Sequence, residues 1–230
     1  MTGSRRPPAS PPEERAIRVV VVDDHEVVRR GLVDLIDREP GFEVCGETGG
    51  AGDAVAIIRD ENPDVAIVDI TLGADSGLDV IRAIAATNPG VHVLVLSAHD
   101  ELLFAERALR AGALGYVMKT RPAADLLRAV RRVAAGRTSV SEQVAERVMA
   151  ALGGRESRVG ASAIDRLSDR ERQVFMLVGE GLATRDIADR LSISVKTVES
   201  HYEHIKDKLG LPSGRDLVRL ALSWAHEHPH

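Results

Sequence analysis

Cysteine is almost absent from this 230-residue chain: Cys45 stands alone, which excludes an internal disulfide framework and suits a reducing cytoplasm. No apolar run reaches the roughly 18 residues that a membrane-spanning helix needs. The opening stretch MTGSRRPPASPPEER has no apolar core, so it is not a secretory signal. Its proline, serine and charge mark residues 1–16 as a disordered arm. Basic excess is missing too. The formal net charge is −5, so global electrostatics give no hint of a nucleic-acid partner, and any such reading must come from motifs. There is no internal repeat and no low-complexity tract beyond the arm. What is present, 44% hydrophobic and 28% charged residues, suits a globular chain and is too apolar for disorder throughout. The length allows one large domain or two small ones.

From Ile17 to about Ala135, short apolar runs alternate with amphipathic stretches. IRVVVV (17–22), FEVCGE (42–47), VAIVD (65–69), VHVLVLS (91–97) and GYVMK (115–119) have strand length, are rich in β-branched residues and are bounded by turn formers. Helical stretches fill the intervals at 25–38, 52–61, 76–87, 101–111 and 122–135. The alternation predicts an α/β doubly wound domain over 17–136, with a five-stranded parallel sheet and chemistry at the carboxyl ends of its strands. Cys45, inside an apolar strand, reads as core.

After Gly136 the strand signals stop. SEQVAERVMAAL (141–152) reads as a short amphipathic helix and GGRESRVGASA (153–163) as a flexible linker, which makes 137–164 a connecting segment. From Leu167 everything is helical, giving an all-α domain over 165–228. Ser168 with Glu171 forms a capping box, Ser194 heads the next helical run, and Ser213 with Asp216 repeats the box-like pattern.

The first strand ends in Asp23 and Asp24 and the third in Asp69, so parallel packing brings three carboxylates to one edge of the sheet. Such a cluster is costly unless a hard cation neutralises it, and Mg²⁺ suits one or two carboxylates plus waters and a phosphate. The fourth and fifth strands deliver Ser97 and Lys119 to the same rim. A nucleophilic carboxylate, a cation site, a hydroxyl and an ammonium are the equipment for phosphoryl transfer onto an aspartate. A strand-end Asp taken alone is more often a cap or turn former. Five such residues at successive strand ends favour the joint reading.

VVVVDDHEVVRRGL, IVDITLGADSGLDVI, VLSAHD and GALGYVMKT, in that order and spacing, resemble the receiver domain of bacterial two-component response regulators over residues 17–135. The resemblance implies that Asp69 is the phospho-acceptor. It implies that Mg²⁺ binds Asp24, Asp69 and the backbone carbonyl of Thr71, with Asp23 acting through water. Ser97 and Lys119 would hold phosphoryl oxygens, and Ser97 with Tyr116 would form the switch, the ring turning inward as the hydroxyl moves to the phosphate. By the same resemblance, Thr71 and His99 occupy positions that in the family tune dephosphorylation. One departure stands out: the loop after the acceptor carries Leu72-Gly73 where the family has Met-Pro. Glycine frees φ where proline would fix it, so a more mobile loop is expected there. Gly77 keeps its place. His25 begins a helix with no second histidine nearby and is not read as a metal ligand.

LSDRERQVFMLVGEGLATRDIADRLSISVKTVESHYEHIKDKLGL resembles the LuxR-type helix-turn-helix, which places the chain with the NarL/FixJ class of regulators. Its helices are expected at about 168–179, 184–191 and 195–209, with a tight turn through Ser192 to Ser194, proportions that fit a major-groove reader. Opposite the apolar seam of the third helix (Val198, Tyr202, Ile205, Leu209) lie Lys196, Ser200, Glu203, His204 and Asp207. The resemblance puts base-reading positions on Glu199, Ser200 and Glu203. It puts phosphate contacts on Lys196, Thr197, His201, Lys206 and Arg185. A final helix, about 214–225, carries Leu217, Leu220, Ala221 and Trp224 along one side, either for dimerisation or to close a small core.

Glu199, Glu203 and Asp207 form an acidic stripe at i, i+4 spacing, unexpected on a helix that faces a polyanion. A Glu at a base edge can accept from cytosine N4–H₂. Alternatively the domain binds weakly alone and relies on dimers spanning two half-sites. The implied partners are a sensor histidine kinase, double-stranded DNA and a second copy of the chain after phosphorylation, with RNA polymerase possible. Two rivals remain: a free-standing phosphohydrolase using Asp69, and a phospho-regulated module whose acidic helix binds protein. No separate substrate-binding segment supports the first, so the chain is read as no enzyme beyond promoting its own phosphorylation and dephosphorylation.

Overall fold

The computed structural model describes residues 15–73, 75–98, 101–152, 163–191 and 193–227. Residues 1–14 of the arm, residues 153–162 of the expected linker, His99 and Ser192 lie outside them. The chain runs β1 (Ile17–Val22), α1 (Glu26–Asp37), β2 (Phe42–Thr48), α2 (Ala51–Glu61), β3 (Val65–Val68), β4 (Thr71–Leu72), β5 (Asp75–Ser76) and α3 (Gly77–Thr87). It continues through β6 (His92–Ser97), α4 (Glu101–Ala111), β7 (Ala113–Met118), α5 (Ala123–Ala134) and α6 (Glu142–Leu152). A 3₁₀ turn at Ala163–Arg166 leads to α7 (Asp169–Gly179), α8 (Thr184–Arg190), α9 (Val195–Leu209) and α10 (Gly214–Glu227).

Five parallel strands in the order β2-β1-β3-β6-β7 form the expected doubly wound sheet. Strand alternation explains its two apolar layers. Val20 and Val22 of β1 join the cluster that includes Ala54, Ile58, Ile81, Ile84 and Phe104, from α2, α3 and α4. Val19 and Val21 face Leu32, Ile36, Leu126, Val130 and Val133, from α1 and α5. All four β1 valines are fully buried, as a central strand covered on both faces requires. The thiol of Cys45, on the edge strand β2, donates to the Val19 carbonyl at 3.4 Å and is only half-buried.

Helix α6 belongs with this layer: Val144 is buried in the same cluster as Phe104 of α4. The segment before it adds a bridge between Ser139 and Gly115, and Tyr116 N donates to the Ser139 carbonyl at 2.9 Å.

In the helical part, α7 has its reciprocal capping box at Ser168 and Glu171, and Ser194 Oγ caps α9 by accepting from Thr197 N at 3.0 Å. Gly210 closes α9 in the left-handed region at φ +66°. Val174, Leu177 and Val178 of α7 pack with Ile187, Leu191, Val198, Ile205, Leu217 and Ala221. Of the two uses open to the apolar row of α10, its packing is that of core closure. Leu217 and Ala221 are buried, while Leu220 and Trp224 pack against the core, with Trp224 edge-on to Phe175 at 6.2 Å. The apolar row closes the domain, and Val218 and Leu222 are the exposed apolar residues of that helix.

Candidate phosphorylation site under the helix-turn-helix

The acidic cluster is assembled by ladder bonds that run one residue past each strand. Asp23 N donates to Thr48 O at 3.1 Å, Asp69 N to Val22 O at 2.9 Å, and Lys119 N to Ser97 O at 2.7 Å. Lys119 Nζ then lies 2.6 Å from Asp23 Oδ2 and 2.7 Å from Asp69 Oδ2. Thr71 N donates to Asp69 Oδ1 at 3.2 Å. Ser97 is fully buried at the end of β6, on the same rim.

His25, set aside in the sequence for want of a second histidine, shares this cluster. Its Nδ1 is 2.8 Å from Asp24 Oδ1 and 3.6 Å from Asp23 Oδ1. The four groups Asp23, Asp24, His25 and Asp69 each offer an atom within 4.8 Å of the others. Three carboxylates face a single ammonium, so negative charge is in excess in a largely buried setting. Asp23 Oδ2 and Asp24 Oδ1 are buried without a hydrogen bond, although Lys119 and His25 approach them. An oxygen-rich, charge-deficient site of this kind fits a hard divalent cation.

The Leu72-Gly73 departure has a structural reason other than the mobility expected of it. Gly73 turns the β4–β5 hairpin at φ +58°, and its N–H donates to Asp24 Oδ2 at 2.7 Å. Proline could supply neither that angle nor that donor.

Burial pushes the Asp69 carboxyl up to about 6, although the Lys119 ammonium opposes the rise. Burial pulls the Lys119 ammonium down, but Asp69 and Asp23 more than offset it, so its pKa is raised. Proton and cation compete for Asp69. Affinity for a divalent cation at this cluster is therefore expected to weaken as pH drops through about 6, where Asp69 takes up a proton. Because the folded pKa lies above the ordinary value of 3.8, metal-free stability falls as pH rises between the two. Titration calorimetry with Mg²⁺ across this range checks the first statement, and a pH-independent affinity would contradict it.

Tyr116 is 2% exposed. Its side chain belongs to the core cluster that holds Phe104 and Ala105 of α4.

Helix α7 lies across this rim. Gln173 Nε2 donates to Thr71 Oγ1 at 2.8 Å, a contact between residues 102 apart. Arg107 of α4 pairs with Asp169 at 2.6 Å, and Ser76 Oγ donates to the same carboxylate at 3.3 Å. Met176 enters the core cluster of the sheet domain, and Trp224 packs against it. A cavity of about 530 Å³ remains between the parts, lined by Asp69, Thr71 and Lys119 on one side and Met176, Glu180 and Arg190 on the other. Burial lowers the pKa of Arg170, and the charge of Asp24 partly offsets this.

The outer face of α9 stays open: Lys196, Thr197, Glu199, Ser200, Glu203, His204 and Asp207 are exposed, as is Arg185 on α8. Two expected phosphate contacts are not presented in this way. His201 is half-buried, and burial followed by the nearby Arg170 lowers its pKa. Lys206 is half-buried and pairs with Glu203 at 2.8 Å.

Comparisons with known proteins agree with both halves. Residues 19–131 match the response regulator receiver domain, and residues 165–221 match the luxR family of bacterial regulatory proteins. The chain is similar to the DNA-binding transcriptional activator DevR/DosR of Mycobacterium tuberculosis, 38% identical over 85% of this chain and 89% of that protein. It is 34% identical to the oxygen regulatory protein NreC of Staphylococcus haemolyticus, over 90% of this chain and 97% of that one. Among solved structures, a LuxR-family two-component response regulator from Aurantimonas superposes with a TM-score of 0.55 at 34% identity, covering 60% of this chain and 99% of that one.

Proposed function

Because the chain belongs to the NarL/FixJ family of two-component response regulators, with a receiver domain joined to a LuxR-type DNA-binding domain, we propose that Asp69 accepts a phosphoryl group from a sensor histidine kinase and thereby controls dimerisation and sequence-specific DNA binding. The observation that carries this is the convergence of Asp23, Asp24, Asp69 and Lys119 directly beneath α7 of the DNA-binding domain.

An ionised Asp69 oxygen attacks the phosphorus of the donor phosphohistidine. The P–N bond breaks, and the leaving imidazole keeps the electron pair and takes up a proton. Asp24, Asp69 and the Thr71 carbonyl would hold Mg²⁺, with Asp23 through water; the bound ion supplies charge neutralisation for the phosphoryl oxygens. Lys119 is already at hydrogen-bond distance from Asp69 and turns its ammonium to the incoming phosphoryl group. Ser97 donates from the adjacent strand end. Thr71, which bonds both Asp69 and Gln173, links acceptor chemistry to the position of α7. Dimer contacts on α10 fall on Val218 and Leu222, because the four residues first considered there close the core. RNA polymerase is a further partner of the DNA-bound form.

On α9, Glu199 and Glu203 make the helix selective and a poor general DNA binder. Glu199→Ala and Glu203→Ala raise affinity for random-sequence DNA and reduce discrimination at their base positions by roughly 5- to 100-fold. Selection of bound sequences with the activated protein, repeated for both variants, checks this. Unchanged preferences would reduce the stripe to a solvated face, and binding insensitive to salt would argue for a protein partner.

A further inference from the structure

A hydrogen-bond path joins the turn of the helix-turn-helix to the phospho-acceptor. The carbonyl of Leu191, which follows α8, accepts from Arg170 Nη2 at 2.6 Å. Arg170 Nη1 donates to Gln173 Oε1 at 2.8 Å, and Gln173 Nε2 donates to Thr71 Oγ1 at 2.8 Å. Thr71 N completes the path at Asp69 Oδ1. The amide orientation is fixed by chemistry: guanidinium is a pure donor, so the Gln173 oxygen must face it and the NH₂ must face Thr71. Gln173 is 2% exposed and Thr71 8%, so water cannot readily replace either partner. Meanwhile α9 keeps its outer face exposed, so this docked arrangement grips the phosphorylation loop and leaves the DNA-reading side uncovered.

We propose that Gln173 is a positioning residue of the phosphorylation site, supplied by the DNA-binding domain, and that through Thr71 it restrains phosphoryl uptake at Asp69 instead of masking the DNA-reading helix. This rests on Asp69 being the acceptor. In the docked state α7 stands over Asp69 and Gln173 ties down the loop whose Thr71 backbone serves the site. The Asp69 carboxylate lines the cavity between the domains, so a donor entering there meets α7 on its way. Any event at Asp69 that displaces Thr71 must break the bond to Gln173, so docking and phosphorylation oppose one another, each weakening the other by the same factor at equilibrium.

The test is the rate of phosphoryl uptake by the full-length chain from acetyl phosphate with Mg²⁺, followed by intact mass. Gln173→Ala accelerates uptake by about 2- to 10-fold, the value of one intramolecular hydrogen bond. Gln173→Met, which keeps the side-chain length, does the same and guards against a packing defect in the alanine variant. The discriminating measurement is a double-mutant cycle. The Gln173→Ala effect persists in a Thr71→Ser background, where the hydroxyl remains, and disappears in a Thr71→Val background, where it does not. A purely structural role for Gln173 gives the same effect in both backgrounds, and that result overturns the proposal. So does uptake indifferent to both Gln173 variants. A wild-type chain that takes up no phosphoryl group overturns the proposal and the assignment of Asp69 together, whereas uptake that is normal but blind to Gln173 leaves Asp69 standing.

Discussion

Replacing Asp69 with asparagine is expected to abolish phosphoryl uptake and, with it, the proposed dimerisation on treatment with acetyl phosphate and Mg²⁺. The carboxamide has almost the volume of the carboxylate but no nucleophilic oxygen anion. Its oxygen can still accept from Thr71 N, while its NH₂ repels the Lys119 ammonium, which keeps Asp23 as its partner. The fold survives, because the substitution removes a buried charge that the surroundings disfavour enough to raise its pKa to about 6. Intact mass and size in solution, measured on both proteins before and after treatment, check the expectation. An asparagine variant that gains a phosphoryl group, or that dimerises as the wild type does, would move the acceptor elsewhere.

The second large effect is expected from a single methyl group at Gly77. A Cβ built there lies 1.9 Å from the carbonyl oxygen of Asp69 and 2.8 Å from Ile70 Cα. Both obstacles are backbone, so no side-chain rotation relieves them. Gly77 N also donates to the Ile70 carbonyl at 2.8 Å, which holds the start of α3 against the acceptor segment. Gly77→Ala must therefore push the Asp69–Ile70 peptide away, and with it the acceptor side chain. The expected cost is about 3 kcal/mol or more of stability, at the upper end of overpacking effects, together with loss of phosphoryl uptake. Gly31→Ala is the control: nothing lies within 4 Å of a Cβ there, and the position is helical, so the change is neutral or mildly stabilising. Thermal melts of the two variants separate these outcomes. A Gly77→Ala protein as stable and as reactive as the Gly31→Ala protein would mean that the close approach is not needed.

Much of this architecture was legible in the sequence, for physical reasons that also explain what was not. β1 falls on the expected residues because a short, unbroken β-branched run ends sharply at Asp23, and α4 and α9 because each is a periodic run of three or more turns. The β4–β5 hairpin escaped notice because two-residue strands have no periodicity to read. The apolar row of α10 was visible, but a helical stripe looks the same whether it meets its own core or a partner. Packing turned Leu217 and Ala221 inward.

The three carboxylates and Lys119 could be placed because parallel strands end at one rim. Gln173 could not, since its partner Thr71 lies in the other domain. A signal was nevertheless present in Val174-Phe175-Met176-Leu177-Val178: apolar residues in unbroken succession cover every side of a helix, which implies burial all round. Helix α7 is indeed enclosed from Glu171 to Gly179, by its own domain on one side and by the receiver on the other. The place of His25 beside the cluster was hidden for a related reason. Its neighbours in the cluster are carboxylates on adjacent residues and on a distant strand, not a second histidine.

The acidic stripe on α9 survives as a specificity question. Glu203 is paired with Lys206, which tempers its charge, while Glu199 and Ser200 are exposed.

The coupling between acceptor and DNA-binding domain is tested most directly by the fluorescence of Trp224, the sole tryptophan of the chain. It sits edge-on to Phe175 and against the receiver core, so its emission reports docking. With Mg²⁺ present, beryllofluoride added to the full-length wild-type protein should shift that emission to the red as the interface opens, and the Asp69→Asn protein should not respond. An unmoved wild-type emission, or an equal shift in the asparagine variant, would contradict the account.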